Sequence, residues 1–312
     1  MTVKNEAMSL PRLLDSLIQQ TRLPDEVVVC DGGSTDGTLE VLELYRQWLP
    51  LKLIVAPGSN ISQGRNRAIA AAEGPLIAVT DGGVVLSPVW LEALSRPLAH
   101  DRAPAVAGWF EADPYTDFEV VMGATVLPAL PDVEPETFLP SSRSVAFLKS
   151  AWEAIGGYPE WLDYGEDLVF DLALRETYGP FAFAPKAVAY FRPRSSLRAL
   201  FRQYYHYARG DGKANLWPWR HLVRYLTYLV LLPTLLRLIW RGRWPGWVGL
   251  LAGGSAYCYR PARRLWAATF RWRPPARLRA FALIPVIRLV GDVAKMAGYP
   301  PGLLWRLRRR IG

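Results

Sequence analysis

Glu26-Val27-Val28-Val29-Cys30, followed at once by Asp31-Gly32-Gly33-Ser34-Thr35-Asp36-Gly37, is the stretch that decides the fold. The first part is a short apolar run of β-branched residues, and the second is a glycine-rich turn that leads into another periodic segment. Working outward, Ala7 to Thr21 carries Leu10, Leu13, Leu14, Leu17 and Ile18, the stripe of a helix laid on a sheet. Leu51 to Ala56, Ile61 to Glu73 with Gly74 as C-cap, and Leu76 to Thr80 continue the alternation. The pattern predicts an α/β domain with a Rossmann-like, mostly parallel sheet. Ligands of such sheets bind beyond the carboxyl ends of the strands, which places the loops at Asp31 and Asp81 first in line for chemistry. Only Met1 to Lys4 precede the first helix, where a buried strand is expected, so a start upstream of Met1 is an expectation of this pattern.

Beyond Pro88 the pattern is mixed. It predicts a helix over Pro88 to Leu98, a strand over Ala105 to Phe110, an irregular stretch over Pro128 to Pro140, and helices over Gly165 to Tyr178 and from a Ser195 or Ser196 cap to Arg209. Charge then divides the chain of 312 residues. Residues 1 to 191 hold 13 Lys/Arg against 26 Asp/Glu, and residues 192 to 312 hold 24 against 2. The basic part interleaves its cations with apolar runs and eight of the 13 tryptophans, which favours an anionic membrane surface over nucleic acid. We expect a catalytic domain over residues 1–212 and an all-α, membrane-associating tail over residues 213–312. Two cysteines, Cys30 and Cys258, exclude a disulfide framework and a cysteine-based zinc site. The opening Met-Thr-Val-Lys-Asn-Glu is not that of a signal peptide, so the catalytic part is expected in the cytosol.

Five elements then occur in order: Asn5-Glu6 before a helix, Asp31 to Thr38 after a strand, Gly64-Arg65-Asn66, Thr80-Asp81-Gly82-Gly83, and Gly165-Glu166-Asp167. In order and spacing they resemble family 2 glycosyltransferases, over roughly residues 3 to 210. The resemblance implies the GT-A nucleotide-diphospho-sugar transferase fold, a nucleoside-diphosphate sugar donor, a divalent metal (Mn2+ or Mg2+) and inversion at the anomeric carbon. It makes Asp167 the base, Asn5, Glu6, Asp31, Arg65 and Asp81 donor-binding residues, Asp81 the metal ligand, and Glu166 an acceptor-binding residue. Trp161 and Tyr164 could stack on a sugar, and Arg143 could meet acceptor or donor phosphate.

Each element also has a plainer reading from the residues alone. Asp31 suits an Asx turn or helix cap as well as a nucleotide contact, and Asp36 suits the cap of the next helix. Acidic residues at Glu166 and Asp167 complement a helix dipole. Arg65 could lie on a solvated helix face, and Trp161 and Tyr164 could belong to the core.

Two departures from the family pattern matter. Gly83 stands where the second Asp of Asp-x-Asp is expected, which weakens the metal site; Glu111 or Asp113 could supply a substitute ligand. Gln203-Tyr204-Tyr205-His206-Tyr207 occupies the place of the Gln-x-x-Arg-Trp of processive relatives, which points to transfer of a single sugar, with Arg209 and Lys213 as counter-charges for the leaving diphosphate.

In the tail, Leu222 to Trp240 is long enough to span a bilayer but contains Arg224, Pro233 and Arg237. Trp247 to Tyr259 is too short. Arg288, Asp292 and Lys295 share one face of Leu278 to Ala297, the pattern of a helix lying in the interface with its cations beside the headgroups. The expectation is an enzyme of cell-envelope polysaccharide synthesis, interfacial or integral at the cytoplasmic face of the membrane, acting on a lipid-linked or glycan acceptor. The alternative is a catalytically weakened nucleotide-sugar-binding accessory subunit. A dinucleotide-dependent oxidoreductase is disfavoured, because no Gly-x-Gly-x-x-Gly follows the first strand.

Overall fold

The computed structural model describes residues 1–99 and 103–311. The chain divides into two compact units, residues 1–113 with 130–192, and residues 114–129 with 193–312.

The first unit opens with β1 (Thr2–Val3), α1 (Leu10–Ile18), β2 (Val27–Asp31), α2 (Thr38–Tyr45), β3 (Leu51–Val55), α3 (Ile61–Ala71) and β4 (Leu76–Val79). It continues with β5 (Val84–Leu86), α4 (Trp90–Ala99) and β6 (Ala105–Ala112). The chain then leaves for α5 (Asp117–Val126) in the second unit and returns for β7 (Val145–Leu148), α6 (Lys149–Ala154), α7 (Glu166–Tyr178) and β8 (Ala182–Phe191).

Strands β1, β2 and β3 pair in parallel, with Thr2 opposite Cys30 and Val27 opposite Leu51. A second, five-stranded sheet runs in the order β4-β7-β6-β8-β5 and is mixed: β6 and β8 are parallel, while β4–β7, β6–β7 and β5–β8 are antiparallel. Of these strands β4 and β6 were expected from the sequence, in a mostly parallel sheet, and β5, β7 and β8 were not.

The fully buried β2 shows why a continuous apolar run was needed there. Successive side chains point to opposite faces of the sheet. Val27 and Val29 join the core with Leu10, Leu14, Trp90 and Leu94 of α1 and α4. Val28 and Cys30 join the core on the other face, with Ala68, Ile69, Phe170 and Leu174 of α3 and α7. Helices on both faces leave the loops after β2 and β4 as the exposed carboxyl edge. The strand expected before α1 has a two-residue counterpart in β1.

The second unit is all-helical. It contains α5, α8 (Leu197–Ala214), α9 (Pro218–Leu226), a π-helical turn (Thr227–Leu231), α10 (Leu232–Trp240), α11 (Trp244–Ala268) and α12 (Pro274–Ile311). Ser196 caps α8, its hydroxyl accepting from the Ala199 N–H at 3.2 Å. This unit begins at Pro193 rather than near residue 213, because α8 packs along α12.

Glycines allow the closest crossings. A Cβ on Gly298 or Gly302 of α12 would collide with the carbonyl oxygen of Tyr205 or Arg209 on α8. Val121, Met122, Leu200, Leu265, Ile284 and Ile287 form the apolar interior.

The polar residues of this unit correct one expectation. Arg288, Asp292 and Lys295 do not line an outer, headgroup side; they face other helices of the unit. The Asp292 carboxylate accepts from Arg224 Nε at 2.9 Å, from the Tyr257 hydroxyl at 2.6 Å and from the Tyr228 hydroxyl at 3.0 Å. Arg288 lies over the Tyr257 ring at 3.9 Å and Lys295 over the Tyr204 ring at 4.3 Å. The outside of the unit is apolar instead, with Leu229, Trp240, Trp244, Leu251, Leu278 and Leu304 all more than half exposed. Pro218–Trp240, 23 residues long, is among the described residues the one helix apolar and long enough to cross a membrane.

Candidate active site

The loops at the carboxyl edge of the first unit bring four of the expected site residues together. Helix α3 starts in a capping box, in which the Asn60 side chain accepts from the Gln63 N–H at 2.9 Å and Gln63 answers at 3.0 Å. That start places Arg65 inward on the first turns, 2% exposed. Its guanidinium donates through Nη1 to Glu166 Oε1 at 2.8 Å and through Nη2 to Asp81 Oδ1 at 2.7 Å. One planar fork therefore ties the end of β4 to the start of α7, which an ammonium could not do with the same geometry.

Burial works against the charge of Arg65, but Asp81, Tyr158 and Glu166 outweigh it and hold the guanidinium more firmly protonated than usual. For Asp81 burial raises the carboxyl, and Arg65 with Arg143 outweigh it, leaving it below the usual carboxylate range. Burial and then the neighbouring Asp167 push Glu166 up to about 7, against the pull of Arg65. The two carboxylates on one arginine are thus driven in opposite directions.

Gly165, at φ 79°, makes the turn from which α7 starts, a conformation most side chains avoid. Asp167, one residue into the helix, is half-buried and its Oδ1 accepts from the Leu168 N–H at 2.9 Å. Behind it, Asp171 is fully buried with no hydrogen-bond partner on either carboxyl oxygen, and burial followed by Asp167 pushes it well above the carboxylate range.

Two further residues support this cluster, Tyr158, which lies in no motif, and Asn66, which belongs to the Gly64-Arg65-Asn66 element. The Tyr158 ring stacks on Phe170 at 3.9 Å and lies 5.3 Å from Arg65, with its hydroxyl 3.0 Å from that of Ser142. Asn66 clamps the same loop, accepting from the Tyr158 N–H at 2.8 Å and donating to its carbonyl at 2.9 Å. Only the adjacency of Asn66 to Arg65 could have signalled this.

Arg143 lies beside the cluster, Nε 3.9 Å from Asp81 Oδ2 and its guanidinium 4.6 Å from the centre of the Phe191 ring. Trp161 is 45% exposed and Tyr164 partly so, both in the loop before α7. Arg209 and Lys213 belong to the helical unit, where Lys213 lies over the Trp305 ring at 4.9 Å.

The loop after β2 is organised by its own side chains. Asp31 is fully buried; its Oδ2 accepts from the N–H groups of Gly33 and Ser34 at 2.9 Å each, and its Oδ1 from the Ser34 hydroxyl. Of the two readings open for Asp31, the structure displays the Asx turn. Asn5 braces the same loop, donating from its N–H to Ser34 Oγ and accepting from the Thr35 N–H, both at 2.9 Å. Asp36 accepts from the N–H and hydroxyl of Thr38, but the N-cap of α2 is Gly37, one residue later.

The Glu6 side chain lies beside the Gly82-Gly83 turn. A side chain begun at Gly83 would have its Cβ 3.9 Å from Glu6 Oε2, and one begun at Gly82 would meet Glu6 Cγ at 3.2 Å. A carboxylate therefore stands beside the Gly82-Gly83 turn, delivered from the start of α1. Among the described residues no three His, Cys, Asp or Glu side chains gather around one point. Asp113, considered as a substitute, is paired with Arg12 at 2.8 Å.

Residues 1–140 match the family model for glycosyl transferase family 2. The chain is 26% identical over 173 residues to chondroitin synthase of Pasteurella multocida, covering 55% of this chain and 18% of that protein. It is 26% identical over 221 residues to the succinoglycan biosynthesis protein ExoA of Rhizobium meliloti, covering 67% of each. The solved structure of the mannosyltransferase PcManGT from Pyrobaculum calidifontis, in complex with GDP-Man and Mn2+, superposes with a TM-score of 0.55 at 19% identity, covering 99% of this chain and 86% of that one. Over residues 1–140 the chain carries the sequence pattern of glycosyl transferase family 2, and its first unit has the GT-A fold. It spans about a fifth of the length of the first curated relatives it matches.

Proposed function

We propose that the chain transfers one sugar from a nucleoside-diphosphate sugar to a hydroxyl acceptor at a membrane, with inversion at the anomeric carbon. The observation that carries this reading is the Arg65 fork, which joins Asp81, on the donor side by family resemblance, to Glu166-Asp167 on the acceptor side. The GDP-Man complex of the solved relative supports the class of donor.

Asp167 takes the proton of the acceptor hydroxyl. The freed oxygen pair attacks the anomeric carbon from the face opposite the diphosphate, and the bond from that carbon to the diphosphate oxygen breaks. Glu166, held by Arg65, hydrogen-bonds the acceptor, and Trp161 and Tyr164 offer aromatic faces to a sugar. Arg143 is placed to meet negative charge on the phosphates. Asn5 and Asp31 hold the loop on which the nucleotide rests.

The carboxylates at the Gly82-Gly83 turn fit a hard divalent cation that keeps phosphate oxygens and waters for its other positions, with Asp81 as ligand and Glu6 in place of the missing aspartate. Such an ion, when bound, offsets the charge developing on the leaving diphosphate.

The helical unit supports the membrane part of the proposal. Arg224, Arg288, Asp292 and Lys295 face other helices, many large apolar side chains are exposed and glycines lie at the crossings, an arrangement that suits lipid as the surrounding solvent. We place it in the membrane, with the catalytic unit on the cytoplasmic side, where the cationic excess of residues 192–312 meets anionic headgroups. A lipid-linked or glycan acceptor fits that position.

The test is donor binding and turnover by the full chain with a panel of nucleoside-diphosphate sugars and Mn2+. The wild type binds one donor and transfers or slowly hydrolyses it. Asp167→Asn keeps donor affinity within a few-fold while losing on the order of 10²–10⁴ in turnover. Unchanged turnover removes Asp167 as base, and binding without any turnover by the wild type favours the accessory-subunit reading.

A further inference from the structure

Charged residues inside the helical unit form one connected chain, and its charges do not balance. The His221 ring joins its two halves. Arg224 Nη1 lies 3.2 Å from His221 Nδ1, and since an arginine only donates, Nδ1 accepts and the ring proton sits on Nε2. That nitrogen donates to Asp211 Oδ2 at 3.0 Å. On its other side Arg224 donates through Nε to Asp292, which the Tyr228 and Tyr257 hydroxyls also serve. Arg288 and Lys295 flank Asp292 on the same face of α12, one turn before it and one turn after. Arg224, Arg288 and Lys295 thus stand against Asp211 and Asp292, three cations to two carboxylates, with His221 neutral.

Arg224 is the cation that is neutralised. Arg288 lies over the Tyr257 ring and Lys295 over the Tyr204 ring, and among the described residues neither forms an ion pair with a carboxylate. Charge kept inside a helical unit with an apolar exterior is expensive, and as a rule it marks a binding site or a pathway. The cluster is open to the outside, since the side chains of Arg224 and Asp292 retain 17% and 18% exposure. Leu229, Leu289 and Val293, next to it in the chain, are exposed. The result is a polar notch in an apolar surface. Tyr228 reaches it from the π-helical turn, a rare form of helix that occurs frequently at functional sites. Arg224 lies near the start of Pro218–Trp240, roughly 9 Å along the helix at about 1.5 Å per residue. In a membrane that is the headgroup end of the span rather than its middle, within reach of a long side chain.

We infer, on the membrane reading of the helical unit, that this notch binds the phosphate of a membrane lipid, with Arg288 and Lys295 as its counter-charges and the lipid chains lying on the apolar surface beside it. The ligand class follows from the chemistry. One positive charge in excess calls for an anion, and N–H donors on two cations suit phosphate oxygens. The apolar flank of Leu229, Leu289 and Val293 selects an anion that carries chains, because a soluble anion leaves that flank uncovered. Basic pockets between membrane helices on the cytoplasmic side recognise lipid headgroups in this way. Lipid-borne phosphate occurs in bulk anionic phospholipid and in a lipid-linked saccharide, and relative affinity separates the two sources.

Thermal unfolding of the full chain in detergent micelles doped with phosphatidylglycerol tests this, with phosphatidylcholine as the neutral control. Phosphatidylglycerol should raise the wild-type midpoint by about 3 °C or more, and phosphatidylcholine should not. Arg288→Gln combined with Lys295→Gln should lose the response. Arg237→Gln combined with Arg241→Gln, which removes two exposed cations, should keep it. Each single variant, Arg288→Gln or Lys295→Gln, should lose about half of the shift, and the pair of them carries the test if the double variant does not fold. A response that survives in these variants overturns the inference, as does an equal response to phosphatidylcholine or to inorganic phosphate alone. Wild type that stays with the membrane fraction in high salt yet ignores phosphatidylglycerol refutes the notch alone, whereas wild type released by salt refutes the membrane reading and the notch together. A long-chain prenyl diphosphate that gives the same shift at about a tenth of the concentration or less assigns the notch to a lipid-linked acceptor, and a weaker effect assigns it to bulk phospholipid.

Discussion

At the scale of single residues, the site is organised around one arginine and two acids whose proton affinities are pulled apart. Glu166 titrates at about 7 in the folded chain against an ordinary value of 4.5. A group raised in this way contributes stability that is complete below pH 4.5 and is lost as pH rises through 7. Wild type should therefore lose about 3 kcal/mol relative to Glu166→Gln between those limits. Unfolding midpoints of both forms measured from pH 4.5 to 8 check this; parallel curves would remove Glu166 as the titrating group.

The residues of this cluster were legible in the sequence because each sits in a short motif whose neighbours fix its local turn. Glu6 was placed on the donor side but not beside Gly83, because nothing local joins the start of α1 to the end of β4. The Tyr158 stack and the Asn66 clamp were hidden for the same reason. Asp31 shows the opposite case, a motif aspartate whose carboxylate is already satisfied by the N–H groups of its own turn.

At the scale of elements, close backbone crossings hold the helical unit together. Gly298→Ala should push α12 off α8 at the Tyr205 carbonyl and cost about 1–3 kcal/mol. Gly253→Ala, where nothing lies within 4 Å, should instead gain about 0.5–1 kcal/mol of helix stability. Thermal unfolding in detergent reads both, and the predicted signs are opposite. The sequence revealed β2, β3 and β4 and the helices between them through their periodicity, although β4 pairs antiparallel with β7. It did not reveal β7 and β8, since their antiparallel partners lie dozens of residues away in the chain. Periodicity also told which charges of α12 share a face without telling which way that face points, and so Arg288, Asp292 and Lys295 were expected at headgroups and are found among helices.

At the scale of the whole molecule, an apolar exterior on a basic helical unit predicts how the protein leaves a membrane. The full chain should stay with the membrane fraction in high salt and in alkaline carbonate, and come off only in detergent. Release by salt alone would mean that electrostatic attraction is the main attachment. The division into units has a further consequence for how the enzyme can be handled and how it could have arisen. The chain passes between the units three times, after residues 113, 129 and 192, because α5 is contributed to the helical unit from the middle of the catalytic sequence. A cut at residue 192 or 212 leaves Val121 and Met122 of α5 without Leu265, Ile284 and Ile287 of α11 and α12. The helical unit is therefore not a tail appended to a finished catalyst. It is threaded through it, and the segment that returns from α5 is the one that carries Arg143 to Asp81.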